Sequence, residues 1–161
     1  MIKVSFNDYS YKKTERFNDK VTIVTLTGKA KLSDLLVHAM PMKFIKWVGS
    51  YQNPKINYDC MGTMYIIAKG KTVRHDKDKD NPVLAERIAE SKAKLKIYRF
   101  VFTLIKKYIK TYEKILTGHE GSLIIKDEVA AASLLSTLDK YDGFIIKEVQ
   151  HLRDLIKQSC N

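Results

Sequence analysis

The chain is predicted to be an α+β protein, with a small antiparallel sheet from its N-terminal half packed against one long helix and two shorter C-terminal helices. Three observations predict it. Runs of β-branched and aromatic residues with period-two alternation all fall before residue 80; residues 81–117 hold no glycine, and no proline after Pro82; and two shorter segments of helical period follow Gly118. A length of 161 residues suits a single domain with a real core. Within it, 1–80 reads mainly as strands and loops, 81–117 as the long helix and 123–158 as a two-helix C-terminal part.

IKVSF (2–6) alternates apolar and polar residues, and VTIVTLT (21–27) is β-branched almost throughout, so both read as strands. Between them NDYSYKKTERFND is either a long hairpin connection or an extension of both strands. KLSDLLVHAM reads as a short helix stopped by Pro41, and MKFIKWVGSYQ as a further helical turn or two before Asn53-Pro54. In 57–76, β-rich runs flank Lys69-Gly70, which predicts a hairpin turning there. Asn81 is a good N-cap and Pro82 suits the first helical position, so the long helix starts here. Its apolar residues, Ile97, Phe100, Val101, Leu104, Ile105 and Tyr108 among them, cover a face of roughly 200°, wide enough to be sandwiched between the sheet and the C-terminal helices. KDEVAAASLLSTLDKY and, after Asp142-Gly143, FIIKEVQHLRDLIKQ read as the two shorter helices.

Catalytic and metal chemistry find little purchase. RHDKDKDN (74–81) places Asp76, Asp78 and Asp80 at the first, third and fifth positions of a calcium loop, but Asn81 stands where the loop needs glycine and Arg87 where it needs a bidentate Glu. Lys77 and Lys79 partly neutralise these carboxylates, and a solvated turn gives no desolvated carboxyl pair. A strand-to-helix turn and cap explains more of the residues. AKGKT (68–72) ends like a phosphate-binding loop, yet position 65 is Tyr where the motif needs glycine. Four histidines without HExxH or GxSxG form no hydrolase constellation. Cys60 and Cys160, a hundred positions apart, suggest neither a zinc site nor a disulfide. No enzyme activity, cofactor or metal is expected.

The net charge of +11 is the outstanding feature, and it is uneven: 15 basic against 8 acidic residues in 1–80, 9 against 3 in 81–117, and 5 against 7 in 118–161. Of the 29 basic residues 24 are lysine, a bias that an AT-rich genome produces without selection, so position must carry the argument rather than number. On the long helix Lys92, Lys96, Arg99, Lys106, Lys107, Lys110 and Lys114 fall on one arc of about 100°, and residues 91–112 contain no acid. A merely solvated helix would interleave Glu and Lys at i,i+4. With Lys12, Lys13 and Arg16 near the N-terminus, this predicts a nucleic-acid-binding surface, DNA or RNA, contacting phosphates without strong sequence preference, because lysines are mobile point charges and arginine is scarce. Tyr9, Tyr11, Phe17, Trp47 and Tyr51 are candidate stacking surfaces, or else core and strand-face residues. An acidic protein surface is the alternative partner.

Residues 62–100, GTMYIIAKGKTVRHDKDKDNPVLAERIAESKAKLKIYRF, resemble a pattern in small uncharacterised proteins of bacteriophages and other mobile elements: a hairpin ending in Gly-Lys, an Asp-rich turn, and a helix with Ile-Ala and Lys-Ala steps, here Ile88-Ala89 and Lys92-Ala93. The resemblance implies a viral protein in the cytoplasm of a bacterial host or associated with the virion, and under the alternative a virion part or an inhibitor of a host nuclease. No apolar run approaches the roughly 18 residues of a membrane span, and the N-terminus lacks an apolar signal region, so an intracellular protein without a membrane partner is expected. Monomer and homodimer are both compatible with the sequence. The stripe Ile88, Leu95, Phe102, Ile109, Leu116 repeats every seven residues, as a dimer seam would, while the intervening Ser91, Tyr98, Ile105 and Tyr112 only partly suit one.

Overall fold

A computed structural model of the chain describes residues 3–5, 12–31, 42–58, 63–75, 80–117 and 128–159. Its elements are β1 (Lys3–Ser5), β2 (Lys12–Phe17), β3 (Val21–Lys31), α1 (Met42–Gly49), β4 (Lys55–Tyr58), β5 (Thr63–Val73), α2 (Pro82–Thr117) and α3 (Glu128–Ser159). The fold is α+β, with an N-terminal antiparallel sheet, a long helix over it and a C-terminal helix over that. Past Lys31, which ends β3, the predicted helix KLSDLLVHAM (31–40) lies outside the described residues, as do 76–79 of the Asp-rich turn at 74–81, Cys60 and Cys160.

The sheet is built on β3 and β5, which pair antiparallel over eleven residues from Val21↔Val73 to Lys31↔Thr63. β4 pairs with the first part of β5. On the far edge of β3, β1 and β2 lie end to end, β1 against 29–31 and β2 against 21–26. The polar stretch before Val21 therefore extends the sheet as a strand. The β2–β3 turn holds Asn18 at φ 50° and Asp19 at φ 52°, and the Lys20 N–H donates to the Phe17 carbonyl at 3.2 Å. Asn and Asp tolerate this left-handed region better than other non-glycine residues, which suits them to the turn.

Alternation decides which face is buried. Val24, Leu26 and Ala30 of β3 and Met64, Ile66 and Ala68 of β5 are buried beneath α2, and all of these but Val24 join Ile97, Phe100, Val101, Leu104 and Ile105 in one core. Each fully buried large side chain contributes about 1.5–3 kcal/mol.

β5 runs unbroken through Lys69-Gly70, so the predicted turn there is corrected: both sides of it belong to one strand, whose first part pairs antiparallel with β4. Gly70 serves the helix instead. A Cβ at this position would lie 1.8 Å from the Ala89 carbonyl oxygen and 2.8 Å from the Ala93 nitrogen. The helix backbone rests on the strand backbone at this point, with glycine on one side and two alanines on the other. The Ile-Ala and Lys-Ala steps thus acquire a packing role.

α2 starts where Asn81 and Pro82 predict. Asn81 Oδ1 accepts the Leu84 N–H at 3.0 Å, and its carbonyl accepts that of Ala85 at 3.0 Å. Pro82 is the first helical residue. At 36 residues the helix is about 54 Å long.

The two predicted C-terminal helices are one. α3 runs 32 residues straight through Gly143. A glycine in a helix costs about 1 kcal/mol relative to alanine. That loss is outweighed by the packing on either side of it: Tyr141, 3% exposed, and Phe144 both meet the Tyr98 ring, with centroids at 6.2 and 5.6 Å. The link from Thr117 to Glu128 reaches at most about 40 Å, too short to return to the start of α2, so α3 runs antiparallel to it. The broad apolar face of α2 is sandwiched as predicted. The Ile88, Leu95 and Phe102 stripe lies on the side turned to α3 within the chain, where Ile88 and Leu95 are buried.

Two glycine replacements are expected to act in opposite directions. Gly70→Ala should lower unfolding stability by about 3 kcal/mol or more, because its methyl meets helix backbone that cannot rotate away. Gly143→Ala, whose Cβ has no neighbour within 4 Å, should raise it by about 0.5–1 kcal/mol. Urea unfolding midpoints of the two variants check both signs.

Candidate nucleic-acid interface

The basic residues separate into three groups according to what their side chains meet. The first joins β2 to the start of α2. Lys12 Nζ lies 2.6 Å from Glu86 Oε1 and 2.7 Å from Glu90 Oε2, and Thr14 Oγ1 donates to Glu86 at 3.2 Å. Arg16 meets Asp80 at 3.2 Å, and Arg74 approaches the same carboxylate at 3.5 Å. Alternate residues of an edge strand thus reach Asp80, just ahead of the helix, and the acids of its first three turns.

Burial disfavours the Lys12 ammonium, but its hydrogen bonds to Glu86 and Glu90 outweigh this, and its pKa is raised. Glu90 likewise loses solvation, and the bonds from Lys12 and Lys94 more than restore its charged form, so its pKa is lowered. Lys12 and Arg16, read from the sequence as phosphate contacts, are tied into these ion pairs. Lys13 points to the opposite face of the sheet and pairs with Glu15 at 2.7 Å, which lowers the Glu15 pKa, with Lys69 adding to the effect.

The second group caps a sheet edge. β4 covers only the first part of β5, leaving backbone groups from Lys69 onward without a strand partner on that side. Lys96 Nζ donates to the Lys69 carbonyl at 2.6 Å and Lys92 Nζ to the Lys71 carbonyl at 3.1 Å. Asn53 Oδ1 accepts the Lys69 N–H at 3.3 Å. An open edge is a template for unwanted strand pairing, and charged side chains laid along it are one of the ways proteins block this. Burial lowers the Lys96 pKa, and the neighbouring Lys92 charge lowers it further.

The third group remains on the ridge. Arg99, Lys106, Lys107 and Lys110 are exposed from the middle of α2 onward. Lys106 Nζ stands 5.8 Å from the Phe102 ring centre, and Lys107 Nζ stands 3.9 Å from that of Trp47, a cation–π contact. Among the described residues, Arg99, Lys106 and Lys110 make no ion pair with an acid. The Lys114 side chain lies outside those described.

Trp47 and Tyr51 are not open stacking surfaces. Both pack on Phe100, with centroids at 6.3 and 4.9 Å, and on each other at 5.1 Å. Phe17 is 49% exposed on its strand, while Tyr9 and Tyr11 lie outside the described residues. Tyr65 is an aromatic that sequence reasoning missed. It lies in β5 beside Lys29, whose Nζ is 5.9 Å from the ring centre. The period-two alternation of TMYIIAKGKTV brings it to light once Gly70 is placed within the strand.

No group of His, Cys, Asp or Glu among the described residues could hold a metal ion. None of the described helices is long and apolar enough to cross a membrane. Comparison with protein-family models, curated proteins and solved structures found no match to the chain.

The grouping predicts which lysines support the fold. Lys96→Met, which strips the cap from the Lys69 carbonyl, should cost about 1 kcal/mol, whereas Arg99→Gln and Lys110→Gln should stay within about 0.5 kcal/mol of wild type, as read from denaturant midpoints. The β2–helix clamp carries its own pH signature. The Glu90 contribution is present above the ordinary carboxylate pKa and lost as pH falls through its lowered value; that of Lys12 is present below the ordinary lysine pKa and lost as pH rises through its raised value. Acidification from neutral pH should therefore destabilise wild type more than Glu90→Gln, measured as the change in midpoint between pH 7 and pH 3.

Proposed function

We propose that this is a non-enzymatic, basic nucleic-acid-binding protein that contacts phosphates without strong sequence specificity. One observation carries the reading. The acids at the start of α2 are matched to β2 cations, while Arg99, Lys106 and Lys110 follow on an exposed stretch that has no acid between residues 91 and 112. The cations that must neutralise acids are already placed, and these three share one side of the helix beyond them.

Phosphates spaced along a polymer suit such a row, and each lysine engaged releases counterions on binding. With five arginines in the chain and one on this ridge, bidentate guanine reading is poorly supplied. A viral or mobile-element setting, to which the 62–100 resemblance points, belongs to the same proposal. So does a place in the bacterial cytoplasm or with the virion.

Anisotropy titrations of labelled DNA and RNA over a salt series test the reading. Wild type should bind with an affinity that falls steeply with salt. Arg99→Glu/Lys106→Glu/Lys110→Glu should weaken it at least about tenfold and flatten the log–log slope by roughly 0.7–0.9 for each phosphate no longer neutralised. If wild type binds no nucleic acid at moderate salt, the proposal falls and an acidic protein surface becomes the partner to seek.

A further inference from the structure

The second face of the sheet also carries an unbalanced charge. Residues paired across the strands share a face, so the register sets Lys13, Lys29, Lys55, Lys69 and Lys71 together on the side away from α2, against Glu15 alone among the described acidic side chains there. Among the described residues no element packs over this face. It is not merely a lysine surface. Tyr65 and Ile67 of β5 and, diagonally across, Thr25 and Ile23 of β3 form a half-buried strip through its middle. Lys55, Lys69 and Lys71 follow one side of that strip, and Lys29 and Lys13 follow the other.

We infer that this face binds single-stranded nucleic acid, with phosphates on the two lines of lysines and bases on the strip that contains Tyr65. The inference rests on the reading that the protein binds nucleic acid, and it names the strand type and the surface. Charge complementarity selects a polyanion. The strip selects a single strand, because a duplex keeps its base faces stacked inside and cannot lay them on the aromatic and aliphatic side chains, whereas an unpaired strand offers a π-face at every base.

The dimensions agree. Same-face neighbours such as Lys69 and Lys71 are about 7 Å apart along the strand, and the path from Tyr65 to Lys71 is about 20 Å, room for a few nucleotides. The face is joined to the helix ridge around the β5 edge, where Lys92 and Lys96 lie on the carbonyls of Lys71 and Lys69. A strand leaving the sheet would pass those ammonium groups on its way to Arg99.

The test compares wild type with Lys29→Gln/Lys55→Gln/Lys69→Gln/Lys71→Gln and with Tyr65→Ala, using an oligo-dT, an oligo-rU and a mixed-sequence DNA duplex, after circular dichroism and unfolding have checked each variant. Wild type should prefer the single strands. The fourfold variant should bind oligo-dT at least about tenfold more weakly, with a salt slope lower by roughly 0.7 per lysine engaged. Tyr65→Ala should lose about tenfold, while Tyr65→Trp should keep its affinity. Ultraviolet cross-linking of wild type to oligo-dT provides a readout that needs no variant to fold, and the adduct should map to β5.

Unchanged oligo-dT binding in the fourfold variant, a preference for duplex, or adducts confined to α2 would overturn the sheet face while leaving the ridge reading intact. Failure of wild type to bind any of the three probes would overturn both.

Discussion

The contact on which the rest of the structure depends is the backbone approach of α2 to β5 at Gly70. With only a hydrogen where a side chain would stand, the strand admits the Ala89 carbonyl and the Ala93 amide. That closeness sets the height of the helix above the sheet. A larger residue would lift α2 by the thickness of a methyl group, and neighbouring distances would lengthen with it. The Lys96 ammonium reaches the Lys69 carbonyl at 2.6 Å because the helix lies this low. For the same reason Glu86 and Glu90 sit within reach of Lys12 at the opposite edge of the sheet.

Both faces of α2 are consequently engaged along its first half, one by the sheet and the other by α3. At the flanks of this half, Glu86 and Glu90 meet Lys12 of β2, and Lys92 and Lys96 lie on the β5 edge. Past Ile97 the surroundings change. α1 supplies Trp47, which stacks near Phe100 and lies under Lys107, and the flank opens to solvent. One helix therefore carries cations of two kinds. Lys92 and Lys96 complete the sheet edge, whereas Arg99, Lys106 and Lys110 farther along the helix are exposed.

The class and the long helix were legible because their signals are local. Asn81-Pro82 marks a helix start through groups within four residues of each other, and the observed cap uses them. The wide apolar arc likewise foretold burial on two sides. What was not legible depended on distance. Gly70 and Gly143 both looked like breaks, since glycine is the usual residue of turns; yet one accommodates a helix from 19 residues downstream and the other is held within α3 by rings that pack on Tyr98. Reading Gly70 as a turn cuts an eleven-residue strand in two and hides its alternation. The site suffers in the same way. Lys92 and Lys96 share an arc with Lys106 and Lys110, and only the position of the sheet edge tells them apart.

This separation also changes the weight of the charge argument. Like-charged neighbours at i,i+4 cost a few tenths of a kcal/mol, whereas each of Ile97, Val101, Leu104 and Ile105, buried to 2% exposure or less, contributes several times that. Helix stability therefore neither requires nor forbids an all-cationic ridge, and repulsion between lysines says little about a ligand. For Lys92 and Lys96 the repulsion is in any case offset by the carbonyls they cap. Placement is more informative than cost. A compositional excess of lysine would be free to settle beside any acid, but here the acids of α2 precede residue 91 except for Glu113, and the pairs of Glu86 and Glu90 draw on Lys12 of β2 and on Lys94. The surplus is left on the ridge and the open sheet face, which meet along the capped edge of β5.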